Sequence, residues 1–188
     1  EMYGAVMNWD DEKLQKEIEA LPSTVEIDES ELITEEQAKT MQRGHVVDLR
    51  HLPFMTIDPP DCKDMDDAIY STIDENGDTV VYTAVANVTK YFDLDSEIGK
   101  VYTNAGFTFY APNKAYSILP SKLSTGVCSL NPNEDRRAFV VKTVLDSKTG
   151  KVKENNIYDA VINSKEKYSY DEAQEIVDRL DSEDARDL

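Results

Sequence analysis

Apolar and polar positions interleave most clearly in the middle of the chain. "DAIYSTID" and "TVVYTAVANV" are rich in Ile, Val, Tyr and Thr, and they flank "ENGD", whose Asn-Gly pair is the short-turn chemistry of a hairpin. A second hairpin is predicted from "RRAFVVKTVLD" and "KVKENNIYDAVINS", turning at "SKTG", and a short strand from "FTFYAP". Four stretches carry helical spacing instead. "WDDEKLQKEIEALP" puts Leu14, Ile18 and Leu21 on one stripe, with acids in its first turn and Pro22 as its stop. "TEEQAKTMQRG" starts on a Thr34/Gln37 capping box and is expected to end at Gly44. "DSEIGKVYTNAG" closes on Gly106, and "SYDEAQEIVDRL" opens on a Ser169/Glu172 box with Ile176 and Leu180 on one face. "STVEIDESELI" reads as polar and irregular. The predicted class is α+β, a mainly antiparallel sheet with peripheral helices.

Three segments follow. Residues 1–46 form an N-terminal arm or linker with two short helices, 47–180 form the main domain, and 181–188 form an acidic tail expected to fray. The chain begins at Glu1, which suggests a piece excised from a longer polypeptide. No apolar run approaches the roughly 18 residues of a membrane span, and no charged-then-apolar signal segment opens the chain. Cys62 and Cys128 have no metal-type spacing and are expected as reduced thiols of a cytoplasmic protein.

The net charge of −18 is unevenly spread. Residues 1–75 and 171–188 carry it, while 76–170 is close to balance. Bulk electrostatics therefore oppose binding of a polyanion, because such binding rests on Lys and Arg displacing counterions. Any nucleic-acid contact must be local, cation-assisted or supplied by another segment.

The densest charge lies in "TIDPPDCKDMDDAIY", where Asp58, Asp61, Asp64, Asp66 and Asp67 crowd around the lone Lys63. Such a run is most simply a solvated face. Three features oppose that reading. Pro59-Pro60 stiffens the bend, the acids run straight into the apolar "AIY", and "FMTI" anchors the other end. Carboxylates held within about 4–6 Å in a partly buried place must take up protons or gain a cation. Oxygen donors suit a hard divalent ion, Mg²⁺ or Mn²⁺. A calcium loop does not fit: "DENGDT" has Thr79 where Gly is required and Val85 where the closing Glu belongs.

"DLRHLPFMTIDPPDCKDMDDAIY" resembles the signature of the ribonuclease II / ribonuclease R family, whose catalytic module is the RNB domain. The resemblance continues through "YTAVANVTKYF", "GFTFYAPNKAYSILPSKLSTGVCSLNPNEDRRAFVV" and "INSKEKYSYDEA", covering about residues 47 to 180 in order. It implies a metal-dependent exoribonuclease that hydrolyses single-stranded RNA from the 3′ end to nucleoside 5′-monophosphates. The implied cluster is Asp58, Asp64, Asp66 and Asp67: Asp58 and Asp67 as direct ligands of Mg²⁺ (Mn²⁺ as substitute), Asp64 direct or through water, and Asp66 positioning metal or water. Asp61 is read as a bystander, and Cys62, where a small residue such as Ala is common, as packing. Tyr170 matches a tyrosine that stacks on a base near the 3′ end, although Tyr168 and Tyr170 alone read as packing for the last helix. Arg136 or Arg137 of "NEDRR" is placed near phosphate or, more simply, in solvent. The family's module runs past Leu188, so its later helices, an additional acidic residue, an arginine segment and flanking β-barrel RNA-binding domains are expected elsewhere in a parent protein. The alternative is a non-hydrolytic RNB-like module that binds RNA or a partner.

Overall fold

The computed structural model describes residues 11–41, 44–112 and 114–180. The expected tail at 181–188 lies outside the described residues, as do residues 1–10 of the arm. In chain order the elements are α1 (Glu12–Ala20), β1 (Leu32–Ile33), α2 (Glu35–Ala38), β2 (Val46–Asp48), β3 (Met55–Ile57), β4 (Asp67–Ile73), β5 (Thr79–Ala86), α3 (Glu97–Ala105), β6 (Phe109–Ala111), β7 (Lys114–Tyr116), β8 (Asp135–Leu145), β9 (Val152–Asn163), β10 (Glu166–Tyr168) and α4 (Tyr170–Leu180).

Eight strands form one sheet in the order β1-β2-β9-β8-β5-β4-β3-β10, and β6 pairs with β7 separately. The centre is antiparallel, built from the two predicted hairpins β4–β5 and β8–β9. At the first turn the Asp74 carboxylate accepts from the amides of Asn76 and Asp78 at 2.8 and 2.9 Å, and Gly77 takes a left-handed φ of 81° that a side chain would resist. The edges differ from expectation. β1–β2, β2–β9 and β3–β10 are parallel, so both margins are stitched by segments far apart in sequence. "STVEIDESELI" contains β1 and a short helical turn over Glu29–Glu31 rather than irregular chain throughout.

Period-2 alternation divides the sheet into two faces. Ala68, Tyr82, Ala84, Ala138, Val140, Tyr158, Ala160 and Ile162 point into the core, where Phe54, Leu49, Leu123 and Leu130 are fully buried. Phe54 meets Tyr70 and Tyr82 edge-on at centroid distances of 6.3 and 6.4 Å, a geometry aromatic quadrupoles favour. The opposite face leaves Ile69, Val85, Phe139, Val141 and Ile157 exposed.

The arm is held by polar contacts. α1 packs on α3, where the Glu17 carboxylate accepts from the amides of Glu97 and Ile98 at 3.1 and 3.0 Å, a negative group at a helix N-terminus. The Thr34/Gln37 capping box forms as predicted, but α2 ends at Ala38 rather than at Gly44. Glu35 then reaches the core side of the sheet, pairing with Lys142 and accepting from Tyr82 Oη at 3.0 Å and Tyr158 Oη at 3.4 Å. α3 runs from Ser96 to a left-handed Gly106, as its sequence predicts.

Candidate active site

The aspartate loop spans the gap between β3 and β4. Its start is fastened to a sheet edge, since the Asp58 amide donates to the Tyr168 carbonyl at 3.0 Å. Pro59 then supplies the bend, and the Cys62 amide donates to the Pro59 carbonyl at 3.0 Å. Lys167 Nζ donates to the Cys62 carbonyl at 2.6 Å. The far end is equally fixed. Met65 is buried, its carbonyl accepts from the Leu130 amide at 2.9 Å, and the Asp66 carbonyl accepts from the Ala86 amide at 2.9 Å. Asp67 opens β4 opposite Val85.

The loop therefore gathers acids because its backbone is tied down on both sides, not because they attract one another. Burial, and after it the charges of Asp64, Asp67 and Asp58, hold the Asp66 carboxyl above the usual aspartate range. Asp58 Oδ2 is buried without a hydrogen-bond partner. The Cys62 thiol lies between two of the carboxylates, 3.7 Å from Asp58 Oδ1 and 3.5 Å from Asp64 Oδ1. An open recess of about 480 Å³ is lined by Pro59, Asp61, Cys62, Lys63, Asp64, Asp66 and Tyr110.

Among the described residues no three His, Cys, Asp or Glu side chains form a ready-made cage for an ion. The donor type is nevertheless the oxygen chemistry a hard divalent cation takes. The site offers several carboxylates in one loop, one raised by burial and then by its neighbours' charges and one with a buried oxygen that lacks a partner.

Comparison with known proteins decides what this loop belongs to. The family model described as "RNB domain" matches residues 46–187. The chain belongs to the RNB domain family. Ribonuclease R of Aquifex aeolicus is 39% identical over 166 residues, which is 88% of this chain and 22% of that protein. Exoribonuclease 2 of Proteus mirabilis is 37% identical over 139 residues, 74% of this chain and 21% of that protein. A solved structure of Mycoplasma genitalium RNase R in complex with ribose methylated single-stranded RNA superposes with a TM-score of 0.68 and 32% identity, covering 89% of this chain and 24% of that one. The chain thus spans about a fifth to a quarter of the length of these three relatives. The RNB fold confirms the α+β class and the largely antiparallel sheet.

Within this RNB segment, the four expected aspartates share one loop and its junction with β4, and Asp61 lies on the rim of the same recess. Tyr170 begins α4 and is 60% exposed, so it does not serve as the packing residue its sequence position also suggested. Arg136 requires a correction. Its guanidinium turns inward, donating to the Ser129 carbonyl at 2.6 Å and the Asp135 carbonyl at 2.9 Å and pairing with Glu134, so it is not presented to a phosphate. A buried cation needs its donors satisfied, and the carbonyls at the mouth of β8 do that. Tyr110 was not singled out from the sequence; it is 75% exposed and stands on the wall of the aspartate recess. The aromatic before Ala-Pro in "FTFYAP" was read only as part of a short strand and of the family resemblance, because nothing local shows which wall the ring stands on.

Proposed function

We propose that the chain forms part of the catalytic domain of a metal-dependent 3′-to-5′ exoribonuclease that hydrolyses single-stranded RNA to nucleoside 5′-monophosphates. The observation that carries this reading is the aspartate loop itself: Asp58, Asp64, Asp66 and Asp67 are pinned together by backbone bonds to β10, β5 and Leu130 despite their mutual repulsion. A bound divalent cation of the Mg²⁺ or Mn²⁺ type supplies charge that activates water and stabilises the leaving oxygen of a phosphodiester. Asp58 and Asp67 would hold it directly, Asp64 directly or through water, and Asp66 would orient water or metal.

The exposed rings of Tyr110 and Tyr170 suit a nuclease that must accept any base, since every base offers a π-face. The charge of −18 leaves the long-range attraction of RNA to other parts of a larger protein, namely the remaining catalytic segment and β-barrel RNA-binding domains. We place that protein in the cytoplasm.

A second reading is a non-hydrolytic RNB module that binds RNA or a partner. It is favoured by the absence of a three-donor cage among the described residues. Incubation with single-stranded RNA and Mg²⁺ or Mn²⁺, followed by chromatography of the products, separates the two. Hydrolysis yields 5′-mononucleotides that disappear with Asp67→Asn. Intact RNA in the presence of measurable metal binding supports the second reading.

A further inference from the structure

Met65 separates Asp64 from Asp66, and the buried pair Ser129-Leu130 holds it from both sides. The Met65 amide donates to Ser129 Oγ at 3.2 Å, and the Met65 carbonyl accepts from the Leu130 amide at 2.9 Å. The first bond fixes the peptide unit that joins Asp64 to Met65, and the second fixes the unit that joins Met65 to Asp66. Because a peptide unit is planar, each tie sets the direction in which a neighbouring aspartate leaves the chain. Met65, Ser129 and Leu130 are all buried, so these bonds are stronger than exposed ones. The clamp is locked in turn from the sheet. Arg136, buried near the start of β8, donates from Nε to the Ser129 carbonyl at 2.6 Å, and that carbonyl also accepts from the Asn131 amide at 2.8 Å. Arg136 pairs with Glu134, whose carboxylate accepts from Asn131 Nδ2 at 3.3 Å, and Ser129 Oγ donates to Asn131 Oδ1 at 3.2 Å. These bonds close a ring from Arg136 through Glu134, Asn131 and Ser129 back to Arg136. The ring hangs on the central sheet, where Arg136 pairs with Ile162 of β9.

We infer that Arg136 is a positioning residue for the aspartate loop: through Ser129 it fixes the two Met65 peptide units and thereby the relative placement of Asp64 and Asp66. The inference rests on the reading that these aspartates hold a cation, and it gives the inward guanidinium a task other than binding phosphate. Groups one step removed from a cation's ligands govern affinity by fixing where those ligands point. Here the step runs through main chain, from β8 to Ser129 and from Ser129 to the peptide units on either side of Met65.

The test reads amide hydrogen exchange in the metal-free chain and Mn²⁺ affinity by electron paramagnetic resonance. It compares the parent, Ser129→Ala, Arg136→Gln and a destabilised control in α3, Gly99→Ala. In the parent the Met65 and Leu130 amides should be protected. Ser129→Ala and Arg136→Gln should speed Met65 exchange at least about tenfold beyond any change in β5, a local effect that a global loss of stability does not produce. Both should bind Mn²⁺ about tenfold more weakly, while Gly99→Ala stays within about twofold of the parent. Arg136→Lys, which keeps the charge but not the fork of donors, should fall between. If Arg136→Gln does not fold, Ser129→Ala and Arg136→Lys carry the comparison. Rapid exchange at Met65 in the parent, or Mn²⁺ affinity unchanged in the variants, would overturn the inference. A parent that protects Met65 yet binds no Mn²⁺ would instead remove the aspartate reading beneath it.

Discussion

The Asp58 amide donates to the Tyr168 carbonyl at 3.0 Å, which joins the first acid of the loop to the last strand of the sheet. One residue earlier on that strand, Lys167 reaches across to the Cys62 carbonyl. Lys167→Met should remove this second tie while keeping the aliphatic stem. The expected result is a loss of about 1 kcal/mol in stability and a several-fold weaker Mn²⁺ affinity, read by thermal unfolding and by Mn²⁺ titration.

Asp66 sets the pH behaviour. Burial and the neighbouring charges raise its folded carboxyl above the unfolded value, so its penalty is absent in acid and grows as pH rises through the folded pKa. Asp66→Asn should therefore raise Tm at neutral pH and leave it unchanged near about pH 3, where the carboxyl is protonated in both states. Mn²⁺ added to the parent should raise Tm more at neutral than at acid pH, and a chelator should reverse that gain.

Tyr110 stands on the wall of the recess and is largely exposed, so its removal should leave the fold intact. Tyr110→Ala is expected to weaken single-stranded RNA binding by about 1–3 kcal/mol, the worth of one stacked base. Fluorescence anisotropy with a labelled oligonucleotide, beside an unchanged circular dichroism spectrum, checks this.

Glu35 ties the arm to the sheet through Lys142, Tyr82 and Tyr158. Glu35→Gln leaves a half-buried ammonium without its counter-ion and should cost about 2 kcal/mol, less than a fully buried pair would. Faster proteolysis within α1 and α2 would accompany the loss.

Gly99 lies in α3 where an added Cβ would fall on the carbonyl oxygens of Asp93 and Leu94. Both are backbone atoms that cannot swing aside. Gly99→Ala should destabilise the chain by about 1–3 kcal/mol despite alanine's better helix propensity, seen as a lowered urea midpoint.

The hairpins were legible because turn chemistry and strand composition agree over many residues, as at Asp74–Asp78 and Asp146–Lys151. Capping boxes at Thr34 and Ser169 were legible for the same reason: each is a local hydrogen-bond exchange between side chain and amide. β1, β2 and β10 were not, since two or three residues carry no period and their pairing depends on partners more than a hundred positions away or on one another. The wide helical turn over Leu123–Val127, where the Cys128 amide reaches the Leu123 carbonyl at 3.0 Å, breaks at Gly126 and has no sequence period either. At the site, the acidic residue types announced themselves, whereas the direction of the Arg136 and Cys62 side chains is set by tertiary contacts. Arg136 turned inward because Ser129 and Asp135 offer carbonyls there.

The parallel pairing of β3 with β10 has a consequence for how the protein is made. A nascent chain delivers every acid of the loop about a hundred residues before Lys167 and Tyr168 leave the ribosome, so the loop must wait for its tie to β10 until that strand emerges. Its final shape waits on that distant strand, and a product cut short just before Glu166 would possess all the acids and lack the strand that fastens the start of the loop.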